Sequence, residues 1–180
     1  MDIWQVKKNN NGLYEICSGS TSFLCQIGSE GLIESSKKNE GDRCTPSGFW
    51  QLKSIYYRAD KINHKALISN NLLSLKKITK NCSWCDDYKS DYYNQYFKIN
   101  KKGKVFPFSY EKLWREDGVY DIFVEIGFND DPVVSKRGSA IFIHCSFEDL
   151  RNTSGCIALS KENLIFLINS INKHTKINII

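Results

Sequence analysis

The chain has 180 residues, 41% of them hydrophobic and 13% aromatic, and carries 25 Lys and Arg against 20 Asp and Glu, a net charge of +5. This fits one domain with a sizeable core. It excludes a disordered chain, a collagen-like repeat and a membrane span, because only 11 Gly and 3 Pro are present and no uninterrupted apolar stretch nears the ~18 residues that a spanning helix needs.

Lys and Ile (20 each) and Asn (16) dominate while Ala supplies 4. This bias accounts for most of the positive charge without a nucleic-acid partner. Residues 53 to 104 hold 12 Lys and Arg against 4 Asp and Glu, a local balance of +8, which is either a solvated lysine face or a field that draws in an acidic ligand. The start, Met1-Asp2-Ile3-Trp4-Gln5-Val6, has neither the basic opening nor the apolar run of a secretory signal. Seven cysteines, an odd number at irregular spacing, read as free thiols in a reducing compartment, so a cytoplasmic location is expected.

In chain order, Ile3 to Val6, Leu13 to Cys17 and Phe23 to Ile27 read as short strands, with Asn11-Gly12 as the turn between the first two. Gly41, Asp42, Pro46 and Gly48 mark a loop, and Phe49 to Tyr57 reads as the next strand. Residues 60 to 118 are the least regular, and 53–118 is expected to form a loop-rich region covering the substrate. From Tyr120 to Phe128 apolar residues alternate, which predicts a half-buried strand. Ser139 to Phe147 lacks alternation, as expected of a strand buried on both faces.

Cys156 to Leu159 resumes an apolar run. Ser160 is placed to cap a helix whose apolar face is Leu164, Leu167, Ile168 and Ile171, and Ile177 and Ile179 close the chain as a strand. The expected fold is mainly β, a sandwich or mixed sheet with a flanking C-terminal helix, in one domain over 1–180.

One segment carries candidate chemistry. A strand delivers His144, a polar loop follows, and Gly155-Cys156 re-enters the sheet twelve positions later. Thiol and imidazole on strand ends are held rigidly, as nucleophilic catalysis requires. Gly155 lets the backbone approach a carbonyl, where the Gly155 and Cys156 amides can stabilise an oxyanion. Cys82-Ser83-Trp84-Cys85 has the form of a metal or redox pair, but no second pair accompanies it and the three histidines are distant in sequence, so no metal or cofactor is expected.

Gly138-Ser-Ala-Ile-Phe-Ile-His144 followed by Thr153-Ser-Gly-Cys-Ile-Ala-Leu159 resembles the catalytic signature of YkuD-type L,D-transpeptidases. Gly41-Asp42-Arg43-Cys44-Thr45-Pro46-Ser47-Gly48 resembles that family's Gly-Asp-x-x-Thr-Pro-x-Gly loop. Tyr57 to Asp60, Trp84 to Asp87, Leu113 to Asp117 and Gly127 to Val133 resemble a signal-less bacterial branch. The chain departs from the pattern at Ser154, where many members have a second His, and at Ala158, where many have Arg or Asn.

The resemblance implies that Cys156 is the nucleophile, His144 its base and Gly155 part of a backbone oxyanion hole, with Cys145 contributing only its carbonyl to orient the imidazole. It implies a peptidoglycan stem peptide as partner, cut between an L-centre and a D-residue through an acyl-enzyme. Arg58 and Arg137 are the candidate carboxylate anchors, Trp84 a candidate pocket wall and Ser154 a candidate substrate contact. With no signal segment, trimming as an L,D-carboxypeptidase is expected ahead of cross-linking. The alternative is a catalytically silent module binding cell-wall fragments or an acidic ligand.

Overall fold

A computed structural model describes residues 3–67, 73–99 and 106–180. Lys101, Lys102 and Lys104 of the basic stretch lie outside the described residues. The strands are β1 (Ile3–Lys8), β2 (Tyr14–Ser18), β3 (Thr21–Leu24), β4 (Leu32–Glu34), β5 (Thr45–Tyr57), β6 (Ser74–Lys77), β7 (Cys82–Cys85), β8 (Tyr96–Lys98), β9 (Tyr110–Lys112), β10 (Ile122–Ile126), β11 (Phe142–Cys145), β12 (Ile157–Leu159) and β13 (Lys176–Ile179), with one helix, α1 (Lys161–Ser170), before β13.

The main sheet runs β12-β11-β10-β5-β13-β1-β2-β3, with β4 and β6 also paired to β5. β5 is the spine: its first half pairs with β13 and its second half with β10. The sheet curls until its two ends meet, where Gln26 and Ala158 exchange backbone hydrogen bonds of 3.0 and 2.8 Å and Gly28 bridges Thr153. This closure brings the chain after β3 against the loop before Cys156.

Among the described residues the architecture is thus mainly β with a single α-helix, near the C-terminus. Ser160 caps α1 by accepting from the Asn163 amide, an interaction worth about 1 kcal/mol. Leu164, Leu167 and Ile168 are buried beneath the helix, each contributing roughly 1.5–3 kcal/mol relative to exposure.

Three expectations need correction. The Thr45-Pro46-Ser47-Gly48 segment is the start of β5, not a loop, because β4 runs parallel to it in register Leu32 to Thr45 through Glu34 to Ser47. The strand expected from Tyr120 begins at Ile122 and is covered on both sides. Ile122, Val124 and Ile126 enter the large aliphatic core, while Phe123 enters a second, aromatic core with Tyr56, Trp84, Tyr120 and Phe142. The cover is a three-stranded sheet, β8-β7-β9, built from the region expected to be irregular.

Candidate active site

His144 on β11 and Cys156 just before β12 line one cavity of about 530 Å³, with Ser154, Tyr120, Lys38, Glu111 and Arg115 among its other walls. β11 and β12 are parallel neighbours, so His144 is in register with Ala158, two residues past the cysteine.

Three chain segments converge on the Cys156 backbone. Its carbonyl accepts from the Thr153 hydroxyl at 2.6 Å and from the Thr45 hydroxyl at 3.4 Å, and Thr45 in turn accepts from the Gly28 amide at 2.8 Å. Gly28 has no room for a side chain: a Cβ would lie 2.3 Å from the Arg43 carbonyl oxygen. Thr45 thus ties the 41–48 motif directly to the candidate nucleophile.

Gly155 adopts φ +138°, and a Cβ there would lie 3.0 Å from the Cys44 carbonyl oxygen. Gly155→Ala is expected to strain the turn that presents Cys156. It should lower stability by about 1–3 kcal/mol and reduce turnover, as read by urea denaturation and steady-state kinetics on one preparation.

The Gly155 amide donates to the Thr153 hydroxyl at 3.1 Å. This corrects the assignment of Gly155 as an oxyanion donor, because its N–H already has a protein acceptor. The Ser154 and Cys156 amides have no hydrogen-bond partner among the described residues.

The imidazole Nδ1 of His144 is 2.8 Å from the Cys145 carbonyl oxygen. A carbonyl only accepts, so Nδ1 carries the proton and Nε2 keeps its lone pair. The ring packs edge-on against Tyr120, 5.5 Å between centroids, and Phe147, 6.2 Å. Burial pushes its pKa down to about 4, with the Arg115 cation adding to the effect. The Cys145 thiol itself points into the core toward the Ile122 carbonyl.

Burial also pushes the Cys156 thiol up to about 12. Its Sγ donates to the Ala140 carbonyl at 3.1 Å and accepts from the Phe142 amide at 3.3 Å. It makes no hydrogen bond to His144 in this state. Thiol and imidazole therefore both rest neutral.

The other cavity walls alternate in sign. Lys38 is buried and paired with Asp42. Arg115 pairs with Asp117 and Glu111, and Arg151 stacks on Phe147 at 3.9 Å while pairing with Asp149. Glu111 faces Tyr120, and burial raises the pKa of each. Asp86 and Glu40 supply further carboxylates.

Arg58 does not reach this cavity. It is 2% exposed, bidentate to Asp60, hydrogen-bonded to the Arg115 carbonyl and stacked on Trp114 at 3.8 Å. It is a structural cation rather than a substrate anchor. Arg58→Met is expected to lower stability by about 2–4 kcal/mol by removing a buried charge that holds Asp60 and the Arg115 carbonyl, measurable by chemical denaturation.

Arg137 is half-exposed outside the cavity lining. Trp84 is buried in the aromatic core, its Nε1 donating to Asn94 at 3.0 Å and its ring edge-on to Phe142, so it backs the site without walling it. Among the described residues the cavity's cations are Lys38, Arg115 and Arg151, and none of these belongs to the basic stretch 53–104. Arg115 lies inside the Leu113-to-Asp117 motif and Arg151 in the loop between His144 and Cys156, but neither stands among the sequence candidates. Ala158 is fully buried on β12 and presents no side chain to a substrate.

Cys82 and Cys85 do not converge. Positions three apart on a strand face opposite sides, and Cys82 Sγ is engaged by the Tyr96 hydroxyl at 3.0 Å. Among the described residues no three His, Cys, Asp or Glu side chains are grouped to hold a metal.

The family model of the L,D-transpeptidase catalytic domain, YkuD, matches residues 3–179. The chain belongs to the YkuD family. A comparison with curated proteins finds no match. Among solved structures, this YkuD domain is similar to Mycobacterium tuberculosis L,D-transpeptidase 1 at 10% identity and a TM-score of 0.38, covering 99% of this chain and 62% of that one. Among the described residues, no helix of the YkuD domain is long and apolar enough to cross a membrane.

Proposed function

We propose that this YkuD domain breaks the bond between an L-centre and a D-residue in a peptidoglycan stem peptide, with Cys156 as nucleophile and His144 as general base. One observation carries the reading: a neutral imidazole with Nδ1 tied to a carbonyl, and a thiol, open into the same charged cavity.

Because both groups rest neutral, no standing thiolate attacks. His144 Nε2 takes the Cys156 proton as sulfur bonds to the scissile carbonyl, and the negative charge passes to the carbonyl oxygen. The Cys156 and Ser154 amides are the donors left to meet that oxyanion. The imidazolium then returns its proton to the leaving nitrogen, the D-amino acid departs and an acyl group stays on sulfur.

An amine that resolves this acyl-enzyme makes a cross-link, and water makes a trimmed peptide. Arg115, Arg151 and Lys38 suit the substrate's carboxylates, and Asp86, Glu111 and Glu40 its amino groups. The three-stranded sheet, with Glu111 on β9, Asp86 just after β7 and Arg115 just past β9, forms a substrate-covering wall within the 53–118 region.

We favour trimming in the bacterial cytoplasm. All seven cysteines are unpaired, the state that a reducing compartment maintains. The test is incubation with a tetrapeptide muropeptide, with and without an acceptor peptide, followed by mass spectrometry. Loss of the terminal D-residue alone is the expected result. A joined dimer would replace trimming by cross-linking, and an unchanged substrate in both arms would favour the silent binding module.

A further inference from the structure

The position of the Cys156 sulfur depends on an unusual piece of backbone. The carbonyl that accepts the thiol proton belongs to Ala140, whose φ is 53°. The left-handed region is unfavourable for a non-glycine residue, so something must hold Ala140 there. Its amide donates to Asn94 Oδ1 at 2.9 Å, across 46 positions of sequence.

The Asn94 side chain is buried and fully engaged. Oδ1 also accepts from Trp84 Nε1 at 3.0 Å, and Nδ2 donates to the Phe128 carbonyl at 3.1 Å and the Asn129 carbonyl at 2.7 Å. An indole N–H only donates and carbonyls only accept, so the amide has one orientation. Asn94 is itself left-handed at φ 55°, a region that asparagine tolerates better than most residues.

We propose that Asn94 is a positioning residue for the nucleophile. By holding Ala140 left-handed, it aims the Ala140 carbonyl at the Cys156 thiol and sets where the sulfur rests and where its proton points. This rests on the reading of Cys156 as nucleophile. Asn94 touches neither Cys156 nor the substrate cavity; its effect passes through Ala140.

Glycine adopts a left-handed φ without cost, so Ala140→Gly should relieve the dependence on Asn94. Asn94→Ser is expected to lower kcat about tenfold with KM within about twofold. Alkylation of Cys156 by iodoacetamide, mapped by peptide mass spectrometry, should rise at least threefold at pH 8 as the thiol loses its carbonyl, with the other buried cysteines unchanged. In Asn94→Ser combined with Ala140→Gly, both values should return to within about threefold of wild type.

A double variant as impaired as the single, a change confined to KM, or unchanged alkylation would overturn the proposal. Asn94→Asp keeps the acceptor that Ala140 needs and, as a buried neutral acid, donates to the Asn129 carbonyl in place of Nδ2, so it serves if the serine variant does not fold. Its Cys156 alkylation should stay within about twofold of wild type, and a rise as large as that expected for serine would overturn the proposal. If the wild type turns over no stem peptide, the functional reading fails, while the alkylation arm still decides the role of Asn94.

Discussion

Replacing Cys156 with alanine is expected to abolish turnover of the stem peptide, and replacing it with serine to leave less than about a thousandth. Burial pushes the thiol up to about 12, so the nucleophile forms only as His144 takes the proton. A serine hydroxyl is less acidic still, and the same burial that raises the thiol outweighs the help of the Lys38 cation. Cys156 is a small side chain that the fold itself holds through its backbone carbonyl. Alanine removes the sulfur's bonds to the Phe142 amide and the Ala140 carbonyl, so it should cost about 1–3 kcal/mol of stability. Kinetics and thermal melts on the same samples separate the two effects. A folded alanine variant that kept more than about one per cent of the rate would remove Cys156 from the mechanism.

His144→Gln is expected to lower kcat by about 10² to 10⁴ with little change in KM, the usual range for a lost general base. With His144 near 4 and Cys156 near 12, kcat/KM for the wild type should be flat from about pH 5 upward. It should show no inflection near the ordinary histidine value of ~6.5.

The same shift has a stability consequence. The unfolded histidine binds a proton below ~6.5, while the folded one stays neutral until about pH 4. Stability is therefore held above pH ~6.5 and lost as pH falls across that window, by roughly 3 kcal/mol. Urea denaturation at pH 7 and pH 4.5 measures it. The glutamine variant should lack this part of the acid loss.

Legibility in the sequence followed the range of the interactions. Period-two alternation marks β10, Asn11-Gly12 marks the turn after β1, and the Ser160 cap marks α1, because each signal lies within a few residues. Thr45 to Gly48 reads locally as a loop because Pro and Gly are turn residues by preference, and pairing of Thr45–Ser47 with β4 and of Gly48 with β13 makes them strand. Arg58 has the guanidinium chemistry of a carboxylate anchor, but Asp60 two residues on offers it a structural partner.

The cavity walls were the least legible part. Lys38, Asp86, Glu111 and Arg151 come from separate stretches that curling of the main sheet and docking of the small one bring together. Asn94 gave no signal, since its role depends on the φ of a residue 46 positions away.

The most direct measurement is to quench the reaction with the tetrapeptide muropeptide at short times, digest the protein and locate the acyl group by mass spectrometry. The expected result is one adduct, with the mass of the peptide less its terminal D-residue, on Cys156 and lost in Cys156→Ala. An adduct on another of the seven cysteines, or product formation by the alanine variant, would contradict it.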